Sequence, residues 1–233
     1  MTRAKKIAKK KLKEPDEFIT LTERTYHFLT QHSKPVIACV IIVLVIFSAI
    51  FFYQRWEKKK EGNAYQLFAV AAETYQATSS PYREASPEQY KMVLEKFDEV
   101  IAKFPRTFAG KLSILFKGNL HLRLGEFEEA IKSYDAFLQK AGEEKLYRIF
   151  ALEGLGYSYE GKKDHGKALS AYQKIGEMGE TFESANAYLG MGRCYEKLGK
   201  NKEAIENYKN FVKIAKKSNE TNAVLRKISL LEK

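Results

Sequence analysis

GYSYEGKKDHGKALSAYQKI, Gly156 to Ile175, carries the pattern on which the fold turns. Gly156 is followed twelve residues later by Ala168, then by Tyr172 and Ile175. The same spacing recurs at Gly118, Ala130, Tyr134 and Phe137, and at Gly192, Ala204, Tyr208 and Phe211. Four residues before each glycine stand Ile114, Leu152 and Tyr188; three residues after it stand His121, Tyr159 and Tyr195. Intervals of three and four keep side chains on one helical face. Each segment therefore predicts a helix, a tight turn and an antiparallel helix. The small residues at the glycine and alanine positions predict close approach of the two backbones, with the large residues filling the space between neighbouring pairs.

This is the tetratricopeptide (TPR) pattern. The alanines are 38 and then 36 residues apart, against about 34 in the standard repeat. The extra residues fall in the inter-repeat turns at 140–147 and 176–184. Working outward, Val93, Phe97 and Val100 take second-helix positions of a degenerate first repeat that ends at Phe104-Pro105, with Ala71 at its small position. Residues 78–88, with two prolines and four serines or threonines, read as a loop inserted into it, and the second helix is expected over Tyr90–Phe104. At the other end Asn222–Glu232 sets Val224, Leu225, Ile228 and Leu231 along one side. Such a helix covers the open end of the stack, as solenoid termini require.

Val36 to Tyr53, VIACVIIVLVIFSAIFFY, carries no charge. At about 1.5 Å per residue it reaches roughly 27 Å as a helix, near a bilayer's hydrocarbon thickness. Thirty-four residues precede Pro35, and the exit Ile50–Trp56 is too bulky for a signal-peptide cleavage site. Val36-Ile37-Ala38-Cys39 resembles a lipoprotein box, but its apolar core follows the cysteine instead of preceding it. The segment reads as a retained span. The expected fold is all-α: a single transmembrane helix followed by a TPR-like α-solenoid of antiparallel helix pairs. Its parts are a basic tail (1–34), the span (35–54), a juxtamembrane helix with the degenerate repeat (55–106), three repeats (107–217) and a capping helix (218–233).

The net charge of +11 is uneven. Residues 1–34 hold nine Lys and Arg against four acids, and the part after the span holds 31 against 25. Residues 1–13 read as a disordered basic tail, drawn to anionic headgroups by about 1 kcal/mol per basic residue. Pro15, Asp16 and Glu17 suit a helix start, with Phe18, Leu21, Thr25, Phe28 and Leu29 on one face; a plain solvated linker is the other reading. Arg55, Lys58, Lys59 and Lys60 oppose the tail in the local charge balance. Short tails obey the positive-inside rule while long domains translocate largely regardless of charge. The expected orientation places the N-terminus in the cytoplasm and the repeat domain outside it.

Sites for catalysis are hard to find. GKKDHGKA at 161–168 approaches the phosphate-binding loop, but Ala168 replaces the hydroxyl that magnesium needs, and the segment is the turn of a helix pair. His27, His32, His121 and His165 show no metal-ligand spacing; His121 reads as half-buried packing and His165 as a solvated turn residue. Cys194 reads as a small apolar packing residue on a helix. With Cys39 the only other cysteine, no disulfide framework is expected. No cofactor, metal, small-molecule substrate or enzymatic activity is expected. The basic tail contains no aromatic, which argues against nucleic acid.

What remains is surface. The first helices of TPR arrays line a concave groove, and by register it includes Leu115, Asn119, Leu122 and Arg123, then Glu153, Tyr157 and Glu160, then Leu189, Arg193, Glu196 and Lys197. Such a mixture suits protein recognition. Asn119 and Arg193 hint at a carboxylate clamp. Tyr157 and Arg193, each one residue past its glycine, are expected to face the groove without packing roles.

Phe28-Leu29-Thr30-Gln31-His32-Ser33-Lys34 before the span, Tyr53 to Trp56 after it, Thr107-Phe108 opening a first helix and Lys227-Ile228 near the end occur in an order that resembles the YfgM-like ancillary subunits of the SecYEG translocon. These are single-span bacterial inner-membrane proteins with a periplasmic TPR-like domain. The resemblance implies partners at the SecYEG translocon and among periplasmic chaperones. An adaptor for envelope assembly or division, without translocon contact, is the alternative.

Overall fold

A computed structural model of the chain describes residues 17–78, 85–140, 144–179, 184–216 and 218–233, with backbone alone for 17–20. The basic tail, Pro15, Asp16, the Phe18 side chain and most of the expected 78–88 loop lie outside the described residues. So do parts of the two inter-repeat turns. The described residues are helical or in short turns, with no strand among them.

The chain divides into two units, 1–57 and 58–233. The first contains α1 (Glu17–Gln31) and the start of α2 (Ser33–Thr78). In α2 the apolar run from Ile37 to Phe52 leaves its large side chains exposed, and the most apolar window is not buried anywhere. It is long and apolar enough to cross a membrane. A buried core helix would have this composition too, but its side chains would be covered.

The second unit is the helix stack. Ala64, Phe68 and Ala71 of α2 are buried there. The charged run after Trp56 and Gly62 are helical. α3 (Pro87–Lys103) begins three residues before the expected Tyr90 because Ser86 and Gln89 form a capping box. Phe68, Tyr75, Phe97 and Phe116 pack ring to ring, 5.4–6.5 Å between centroids, as the core of the degenerate repeat. Three helix pairs follow: α4 (Phe108–Arg123) with α5 (Phe127–Lys140), α6 (Lys145–Gly161) with α7 (His165–Gly176), and α8 (Ala185–Lys197) with α9 (Asn201–Ile214). Ala130, Ala168 and Ala204 are completely buried, as are Tyr134, Tyr172 and Tyr208. Glu61 of α2 accepts from the Phe108 and Ala109 amides at 2.8 and 3.3 Å, and Thr107 accepts from the Gly110 amide. α4 thus starts with its orphan donors satisfied.

α10 (Thr221–Leu231) packs on α9. Val224 and Ile228 are buried and Leu231 half-buried, but Leu225 is exposed. The apolar stripe is narrower than the sequence suggested: among the described residues α10 packs chiefly on α9, and Leu225 faces away from it.

The curvature follows from which helices touch. Consecutive first helices, α4 with α6 and α6 with α8, pack against one another, with no comparable contact between the second helices of the described pairs. A stack pinched along its first helices is concave on that side.

Candidate functional site

The floor of the concave face is built by tyrosine against glycine. A methyl on Gly118 would sit 2.7 Å from the Tyr134 ring, and Gly154 of the next pair faces the same ring. Tyr172 lies likewise between Gly156 and Gly190. Tyr208 meets Gly192. The glycines therefore make room for the tyrosine rings, whereas the spacing had suggested only close backbone approach. Gly154 and Gly190 were missed, although a Gly-x-Gly in both first helices signalled them. In α4 the matching position is Phe116, which packs on Phe97 where the later repeats have tyrosine. Large against Phe97 and absent against the tyrosines, this position compensates for what the preceding repeat presents.

Each ring ends in a hydroxyl that donates to a residue of its own repeat's first helix. Tyr134 donates to Asn119 at 2.7 Å, Tyr172 to Glu160 at 2.6 Å and Tyr208 to Glu196 at 2.7 Å. Burial pushes all three phenols far above their ordinary range, and carboxylates beside Tyr172 and Tyr208 push them further. They stay protonated donors.

Arg193 of α8 reaches back to Glu160 of α6 through Nε at 3.0 Å and Nη2 at 2.7 Å. Burial alone would lower its pKa, but Glu160 more than offsets this and raises it. Its guanidinium also stands 5.4 Å from the Tyr157 ring centroid, and Tyr157 stands edge-on to Tyr172 at 6.0 Å. Glu153 accepts from Asn186 of α8 at 3.0 Å and from the Tyr157 hydroxyl at 3.3 Å. Burial raises the Glu153 pKa. Lys227 of α10 donates to Glu196 at 2.7 Å. Polar bonds thus stitch consecutive repeats together across the groove.

Several expectations change here. Leu115 is a core residue, 2% exposed, because α4 is covered on both sides. Leu189 is half-buried against the core formed with α9 and α10. Arg193 and Tyr157 do have packing roles, and the Asn119–Arg193 clamp does not form: one holds Tyr134 and the other Glu160. His165 is half-buried rather than free in solvent; it opens α7 with its Nδ1 buried and without a protein partner. His121 is half-buried as expected, 2.6 Å from Glu126. Cys194 is fully buried, its thiol pushed up to about 12 by burial, and inert for that reason. Among the described residues no His/Cys/Asp/Glu group could hold a metal.

Two cavities open along the face. One, about 290 Å³, is lined by Tyr75, Asn119, Leu122, Arg123, Phe150, Glu153 and Tyr157 among others. Arg123 lies over the Tyr75 ring at 5.8 Å. The other, about 400 Å³, is lined by Glu160, Lys163, His165, Arg193, Glu196, Lys197 and Lys227. Phe150, Lys163, His165 and Lys227 were not in the expected groove; Phe150 lies on α6 one turn before Glu153, and the others come from a turn, the start of α7 and the cap, outside the first-helix register.

A stack of helix pairs curved around its first helices, each floored by glycine and tyrosine, is a TPR architecture, and the profile of the tetratricopeptide repeat-like domain family matches residues 26–233. The chain belongs to that family. No curated protein matches it significantly. The fold is similar to that in the crystal structure of MamA protein (TM-score 0.54, 16% identity, 72% of this chain and 83% of that one). It is also similar to a tetratricopeptide repeat protein from Parabacteroides merdae (TM-score 0.56, 17% identity, 72% and 60%). TPR-like repeats are protein-interaction domains, typically without enzymatic activity, and imply protein partners.

Proposed function

We propose that this protein is a membrane-anchored scaffold that binds a partner protein in the concave groove. The observation that carries this is the pair of open cavities on a face whose floor is rigidly bonded. A partner then meets a preorganised surface and little of the binding energy goes into ordering it. The bare apolar run in α2 supports a single-pass anchor. With the basic tail inside, the repeat domain works outside the cytoplasm, at the inner membrane. The order of motifs shared with the YfgM-like subunits favours the SecYEG translocon and periplasmic chaperones as partners. An envelope-assembly or division adaptor is the reading to which a different crosslinked partner would lead.

Photo-crosslinking in intact membranes tests it. A crosslinker replacing Phe150, exposed at the rim of the first cavity, should capture a translocon or chaperone subunit. One replacing Lys132, exposed on the second helix α5, should not. Capture from Lys132 alone would move recognition off the groove.

A further inference from the structure

Phe108 opens α4, and Leu146 stands in the first turn of α6. Both lie ten residues before the glycine that heads their repeat's pattern, Gly118 and Gly156. In the third repeat Phe182, outside the described residues, has the same register. A large apolar residue thus recurs at one position of each repeat. Where the structure describes it, it is not core: Phe108 is 41% exposed and Leu146 43%. Half-buried Tyr147 joins them, its ring edge-on to Phe108 at 5.5 Å. Scattered exposed apolar side chains are ordinary, but a row repeated in register along one edge of a helix stack marks a contact surface. Cations border it. Lys58 and Lys59 of α2, Arg106 before α4 and Lys145 of α6 are exposed and have no ion pair among the described residues. The acids closest to them in sequence are Glu57, Glu61, which caps α4, and Glu144.

The chain itself brings a lipid surface to this rim. Glu61 accepts from the Phe108 and Ala109 amides at 2.8 and 3.3 Å. It follows Tyr53, the end of the apolar run, by eight residues of the same helix. At 1.5 Å per residue that is about 12 Å of chain. A headgroup layer is itself about 5–7 Å deep, so the start of α4 is held within a side chain's length of the bilayer surface. Apolar and aromatic side chains edged by Lys and Arg suit an anionic lipid surface. The apolar groups enter the boundary between headgroups and acyl chains, and the cations meet the headgroup phosphates. We infer that Phe108, Leu146 and Tyr147 form a second membrane contact, which seats the repeat domain on the anionic bilayer that its own helix crosses. The inference rests on the single-pass anchor reading and adds the place where the domain meets lipid. Lipid is favoured over a protein partner because the tether keeps it at the rim permanently. Phe150 packs on Tyr147 at 6.5 Å and lines the first cavity, so a domain seated this way opens its groove beside the membrane.

The test uses the full-length Cys39→Ser protein in nanodiscs of phosphatidylethanolamine and phosphatidylglycerol, with a nitroxide quencher near the top of some acyl chains. Cys194 is buried and inert, so one fluorophore can be placed at Ile50→Cys, Leu146→Cys or Leu198→Cys. Ile50 lies in the apolar run, and Leu198 is an exposed leucine at the opposite end of a first helix. Probes at 50 and 146 should lose most of their fluorescence to the quencher, and the probe at 198 almost none. Arg106→Glu with Lys145→Glu should restore most of the fluorescence at 146 and leave position 50 as it was. Both residues are exposed, so the circular dichroism and the melt of the double variant should match the parent. Pure phosphatidylcholine discs should act as the double variant does. Quenching at 50 with none at 146 leaves the anchor reading standing and overturns the rim contact. No quenching at 50 overturns the anchor reading, and the rim contact with it. Equal quenching at 146 and 198 overturns the inference, since the rim would then have no preference for lipid. Quenching at 146 that neither the double variant nor phosphatidylcholine reduces denies the anionic surface and also overturns it.

Discussion

At the scale of single residues, the glycines facing the tyrosine rings set the distance between repeats. Tyr172 is fully buried between Gly156 and Gly190. An alanine at 190 would place its methyl 2.5 Å from the ring. The ring has nowhere to go, because its hydroxyl is tied to Glu160. Gly190→Ala should therefore destabilise residues 58–233 by about 1–3 kcal/mol in urea denaturation through overpacking, despite alanine's better helix propensity. Gly166→Ala, where only the Asp164 carboxylate comes within 3.8 Å, is the control and should not destabilise. Equal effects at the two sites would mean that the glycines are not there for the rings.

At the scale of elements, α2 departs most from what its residues suggest. A run of Lys58, Lys59, Lys60, Glu61 and Gly62 looks like a place to break a helix, yet it is helical. Glu61 explains why: as part of a helix its carboxylate lies at the start of α4 and caps it, where the helix dipole favours a negative charge. Gly62 has open space around its Cα. Gly62→Ala should stabilise the second unit by about 0.5–1 kcal/mol, by reducing the freedom of the unfolded chain. A lower midpoint in thermal or urea unfolding would show that the segment is not helical in solution. The same logic of local satisfaction fixes the start of α3, where the Ser86–Gln89 box outweighs the loop-like composition just before it.

At the scale of the whole molecule, the stack behaves as one body because side chains bond across repeats as well as within them. Arg193 to Glu160, Asn186 to Glu153 and Lys227 to Glu196 each join neighbouring elements over the concave face. A double replacement of Tyr157 and Arg193 would therefore loosen the α6–α8 junction along with any binding, and it cannot report on the groove alone. Orientation is the other molecular-scale question. If the tail's nine basic residues hold the N-terminus inside, as proposed, a reporter fused after Lys233 that is active only outside the cytoplasm should be active. Activity from a cytoplasmic reporter instead would mean that Lys58–Lys60 decide the topology.

The all-helical class, the glycine–alanine–tyrosine spacing of the helix pairs and the apolar helix were legible in the sequence alone. Each is written in local periodicity, where a residue's fate depends on neighbours three and four positions away. Ala168 and Tyr172 were legible for that reason. The groove was legible only in outline. Leu115 lies on the expected face yet belongs to the core, since helical spacing does not say how far a neighbour's coverage extends around the cylinder. Arg193 read as a groove residue without a packing role because its partner, Glu160, is 33 residues away. His165 read as solvated because residues that share its cavity come from α8 and α10. Tertiary structure decided these, through pairings between elements distant in the chain that burial makes obligatory: a charge or hydroxyl taken from water must find whatever partner the packed repeats bring to it.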